Sequence, residues 1–143
     1  MSWEVCIFNY AGKIDFEDEA FIKSLPVTNF HSIIEDYFPN VKMNGDHHEV
    51  YGLDFAFDYF FSKEPSGNAV FSLHGENALL QLARLSKQEG WQIFDMAIGA
   101  FVDLDNPGME GFHAHKEYVR QILSRNKQKT GLWDRIRNFL HLT

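Results

Sequence analysis

The chain has 143 residues, 45% hydrophobic and 23% charged, which excludes a disordered or fibrous protein and predicts one globular domain. A chain this long buries roughly 70% of the surface its unfolded form exposes, so it needs no disulfide or metal staple, and 14 Phe, 5 Tyr and 3 Trp predict a bulky core. The net charge is −7, the lone Cys6 excludes an internal disulfide and favours the cytoplasm, and no apolar run approaches the ~18 residues of a membrane span.

In chain order, Trp3, Val5 and Ile7 alternate with Glu4, Cys6 and Phe8, which predicts a strand over 2–9. Residues 10–25 carry Glu17-Asp18-Glu19 and read as an irregular or partly helical connection. Thr28 is the predicted cap of a helix whose inner face is Phe30, Ile33, Ile34, Tyr37 and Phe38, and Pro39 stops it. Asn44-Gly45 marks a turn. Beyond it His48, Val50 and Tyr51 lead to Gly52, and Leu53, Phe55, Phe57 and Tyr59 alternate with Asp54, Ala56 and Asp58 in a half-buried strand. Pro65-Ser66-Gly67-Asn68 turns the chain into a strand over 69–74, antiparallel to its predecessor in a meander.

Residues 76–89 form a helix with Leu79, Leu82, Ala83 and Leu85 inward, closed by a left-handed Gly90, with Trp91 folding back onto Leu85. Short strands over 91–96 and 100–104 flank Gly99, and Asn106-Pro107 opens a helix with Phe112, Val119, Ile122 and Leu123 on its core face. This order predicts an α+β domain over 1–123, with an antiparallel or mixed sheet of five to six strands and helices packed on one side. Residues 124–143 read as a polar joint followed by a basic amphipathic helix bearing Leu132, Ile136, Phe139 and Leu140, suited to packing on its own domain or pairing two copies as a homodimer.

Charge is divided. Residues 1–112 carry 6 basic and 18 acidic side chains, net −12, whereas residues 113–143 carry 7 and 2, net +5. An acidic body repels nucleic acid and attracts cationic proteins, so a basic protein partner is expected and nucleic acid is not.

The motifs that carry chemistry are absent: no nucleophile elbow, phosphate-binding glycine loop or dinucleotide fingerprint occurs, and no cofactor is predicted. His113 and His115 lie ~200° apart around a helix, His47 and His48 point to opposite faces of a strand, and His31 with Glu35 reads as an exposed helical pair, so no metal site is predicted. Asp54 and Asp58, ~13 Å apart along one strand, are too distant for a glycosidase pair and suit a partner surface. Asp103 and Asp105 suit turn and capping chemistry before a helix, and join the same acidic set for partner binding. Cys6, mid-strand without a basic neighbour, reads as an inert thiol.

Trp3 opening a strand, the 51–58 alternation, Ser72-Leu73-His74-Gly75 before a helix, Gly90-Trp91 after it, the run from Phe101 to Pro107, and Gly111-Phe112 together resemble a family of small uncharacterised bacterial proteins over most of residues 1–123. The resemblance supplies no catalytic residue and stops short of the tail beyond Ser124. By a looser analogy such small acidic proteins resemble immunity proteins that neutralise toxins. The expected function is thus a non-enzymatic cytoplasmic binding protein whose Asp54, Asp58, Asp103 and Asp105 meet a basic partner. The alternatives are a small-molecule binder or hydrolase with a pocket near His74, Asp103 and His115, and a structural or assembly subunit.

Overall fold

The computed structural model describes residues 2–60 and 64–126. Strands β1 (Trp3–Phe8), β2 (Val41–Asn44), β3 (His47–Gly52), β4 (Phe55–Phe60), β5 (Asn68–His74), β6 (Gln92–Asp95) and β7 (Ala100–Phe101) form one antiparallel sheet in the order β2-β3-β4-β5-β1-β6-β7. Helices α1 (Glu19–Lys23), α2 (Phe30–Tyr37), α3 (Asn77–Glu89) and α4 (Glu110–Asn126) complete an α+β domain.

The core follows from period-2 alternation. Trp3, Val5 and Ile7 of β1, Phe71 and Leu73 of β5, Phe57 and Tyr59 of β4, Val50 of β3 and Ile93 of β6 are buried on one face, under Phe30 and Ile34 of α2 and the Leu79, Leu82, Ala83 and Leu85 stripe of α3. Gly90 ends α3 at φ 73°, and Trp91 turns in against Phe30, with ring centroids 4.9 Å apart, tying the two helices together. The start of α4 meets the same core through Phe112, 5.6 Å from the Trp3 ring. On the opposite face, Phe8, Ile14 and Leu25 form a smaller cluster with Phe21 and Ile22 of α1, covering the β1–β6 side.

Several local expectations are corrected. Asn29, not Thr28, caps α2 by accepting from the Ser32 N–H at 3.1 Å, while the Thr28 backbone pairs with Ser66 across an isolated bridge. The sheet has a seventh strand, β2, at its edge: Val41-Lys42-Met43-Asn44 is short and polar, and only pairing with β3 across the Asn44-Gly45 turn makes it a strand. Asp54 leaves the strand predicted for it and sits in the β3–β4 turn at φ 64°, a backbone that Asp tolerates better than most residues. The last described helix starts at Glu110, three residues beyond Pro107, because a turn from Asp103 to Asn106 intervenes. α4 runs through Asn126, into the predicted joint, and the amphipathic segment from 131 onward lies outside the described residues.

Candidate functional site

Antiparallel register sets one row of side chains across the second face of the sheet. Lys42, Glu49, Asp58, Ser72 and Glu4 stand opposite one another on β2, β3, β4, β5 and β1. Neighbours in such a row lie ~5 Å apart, so their charges add. Asp58 is the hub. Its Oδ1 lies 3.2 Å from His47 Nε2 and its Oδ2 2.6 Å from His74 Nε2, the imidazoles arriving diagonally from the two flanking strands. A carboxylate only accepts, so the His74 ring presents its Nε2 proton to Asp58, while His47 lies at ion-pair distance on the other oxygen. Because the rings take different oxygens from opposite sides, they do not converge on a common centre. Among the described residues no group of three or more His, Cys, Asp or Glu side chains is placed to hold a metal.

Aromatic and aliphatic surface frames this row. The Tyr51 hydroxyl donates to Glu49, His47 packs 5.0 Å from the Phe60 ring, and Phe60 and Val70 remain 77% and 49% exposed. Apolar surface is thus left open beside the carboxylates.

A second polar centre lies where β3 and β4 meet the start of α2. The His31 Nδ1 and the Tyr59 hydroxyl are 2.9 Å apart, and His31 Nε2 lies 3.4 Å from Glu35. His31 therefore belongs to a half-buried network, whereas spacing along the chain predicts an exposed pair. Burial pushes the His31 pKa down and, reinforced by the Glu35 charge, pushes the Tyr59 phenol up, so the ring stays neutral and the hydroxyl keeps its proton. His48 stacks on Tyr59 at 5.4 Å and 15° and holds Asp46 O through Nδ1 at 3.1 Å. A cavity of about 190 Å³ opens beside this network, lined among others by Phe30, His31, Tyr59, Phe60 and Glu64.

A third polar centre is structural. Asp95 is 1% exposed, accepts from Trp3 Nε1 at 3.1 Å through both oxygens, and takes the Ala97 N–H at 2.9 Å. Burial raises its pKa despite these donors. Gly111 lies directly against it, and a Cβ there would overlap the carboxylate, which is how α4 approaches so closely. His115, its pKa lowered by burial, is within electrostatic reach of Asp95 and His74.

The predicted site residues are thus dispersed. Asp58 and His74 come together on the open face; Asp54 occupies the turn between β3 and β4. Asp105 pairs with Lys87, and Asp103 Oδ1 takes the Asp105 N–H at 3.0 Å. Asp103 also lines a cavity of about 310 Å³ with Asp95 and Glu110, but neither His74 nor His115 is among its walls, so the three do not share one pocket. Cys6 is partly buried with its pKa pushed up to about 11 by burial, which keeps the thiol protonated.

Comparison with protein-family models, curated proteins and solved structures finds no match to this chain. Among the described residues no helix is long and apolar enough to cross a membrane.

Proposed function

We propose that this chain is a non-enzymatic protein-binding module whose open sheet face takes a basic partner. The observation that carries it is the single row in which Glu49, Asp58 and Glu4 stand with Lys42 and Ser72, two imidazoles beside Asp58, and exposed Tyr51, Phe60 and Val70 alongside. Carboxylates beside exposed aromatics serve cationic protein segments twice, by Coulomb attraction and by cation–π contact. The immunity-like role and the cytoplasmic setting expected from sequence belong to this proposal. Of the acidic residues expected to meet the partner, Asp58 is the one that this reading places at the centre.

Fluorescence anisotropy of a labelled lysine-serine decapeptide against the full chain tests it. Binding that weakens about tenfold between 50 and 300 mM salt, and is lost on Asp58→Asn with Glu49→Gln, supports the reading. Equal binding of a glutamate-serine decapeptide, or no salt-sensitive binding at all, overturns it.

A further inference from the structure

We propose that His47, Asp58 and His74 make the open face sensitive to pH, so that it holds a basic segment at neutral pH and releases it when both imidazoles gain protons. The inference rests on the reading of that face as a binding surface and names what regulates it.

Charge along the row sets the starting point. With both rings neutral, Lys42 contributes one positive charge and Glu49, Asp58 and Glu4 contribute three negative ones, a net of −2. Imidazole is the side chain that ordinarily changes charge between about pH 5 and 8, while carboxylates and ammonium groups ordinarily keep theirs. One proton on each ring brings the row to zero and turns the Asp58 group itself from −1 to +1. A lysine at either position would cancel Asp58 at every pH; an imidazole leaves it uncancelled when neutral.

Position puts the change where the partner sits. His47 Nε2 and His74 Nε2 lie 3.2 and 2.6 Å from the two oxygens of Asp58, so each added charge falls on the middle of the row. Protonation is compatible with both contacts, because a charged ring carries a proton on each nitrogen. Solvent reaches the pair, whose side chains are 27% and 53% exposed, whereas His48 on the covered face is 2% exposed.

The groups around the pair act in the same sense or keep their charge. Glu49 Oε1 lies 3.9 Å from His47 Nδ1 and takes the Tyr51 hydroxyl, and the β2 neighbour of His47 is the neutral Asn44. His74 pairs with Ala56 on β4; Glu4, which takes the Ser2 hydroxyl, pairs with Ser72 two residues away on the same face. From α4, His115 is within electrostatic reach of His74, and a proton there also opposes a cationic partner.

The test is fluorescence anisotropy of the lysine-serine decapeptide, labelled at its N-terminus with a pH-insensitive dye, against the full chain at pH 7.5 and 5.5 in 50 mM salt. Wild type is expected to bind about tenfold more weakly at pH 5.5. His47→Gln with His74→Gln is expected to bind within about twofold of neutral-pH wild type at both pH values, because glutamine offers Asp58 an N–H donor that does not titrate. Urea melts at each pH check that this variant is folded. Equal wild-type affinity at the two pH values overturns the switch and leaves the binding face standing. A pH dependence that survives the double substitution also overturns it, since the titrating group then lies elsewhere. No salt-sensitive binding at either pH overturns the binding face, and the switch with it.

Discussion

Two aspartates on adjoining parts of the same sheet show how position decides what a carboxyl does. Asp95 lies on the covered face, 1% exposed, and its partners are Trp3 and a backbone N–H, groups that cannot change protonation. Asp58 lies on the open face, and its partners are two imidazoles that can. The first carboxyl satisfies donors that burial would otherwise orphan; the second organises a surface. The difference teaches that in this domain acidity on the covered side is architecture, and acidity on the open side is what the proposed reading uses for recognition.

The comparison breaks most visibly at Asp95. Asp95→Ala orphans the indole N–H and the Ala97 N–H in a dry site, and is expected to cost about 3 kcal/mol in urea unfolding at pH 7. A loss under 1 kcal/mol would contradict its structural role. Gly111→Ala attacks the same node from α4 by driving a methyl into the carboxylate, with an expected loss of about 2 kcal/mol by the same measurement.

Asp58→Asn is the contrasting case. Its side chain is 20% exposed, so the expected stability change is below about 1 kcal/mol, while affinity for the lysine-serine decapeptide falls roughly fivefold. A large stability loss without an affinity change would merge the two aspartates into one class.

The smallest effect is one of pH. Burial raises the folded pKa of Asp95 above its ordinary 3.8, so the folded state holds the proton more tightly than the unfolded state. That contribution is complete below the ordinary value and lost as pH rises through the raised one. Wild type is therefore expected to lose stability relative to Asp95→Asn as pH climbs from about 4 to 7, read from paired urea melts. A constant difference across that range would contradict the raised value.

What was legible in the sequence was whatever repeats at a short period. The Trp3, Val5, Ile7 alternation, the Leu79-to-Leu85 stripe and the Gly90 stop each carry their geometry locally, and the α+β class with its meander followed from their order. Elements decided by pairing were not legible: β2 exists because β3 lies beside it, and Asp54 left its strand because the chain needs a turn after Gly52. The sites depend on register above all. Trp3 meets Asp95 across 92 positions, Tyr59 meets His31 across 28 and His74 meets Asp58 across 16, distances at which no spacing rule operates. The one available signal was chemical: a buried Trp needs a partner for its N–H, and Asp95 in a predicted strand was a candidate to supply it.

The open row itself can be read residue by residue with an amide NMR footprint of the lysine-serine decapeptide on the full chain at low salt. The account predicts that Glu49, Asp58, Ser72 and Glu4 shift together and that α2 and α3 stay silent. Perturbations centred on those helices, or an identical footprint from the glutamate-serine decapeptide, would contradict it.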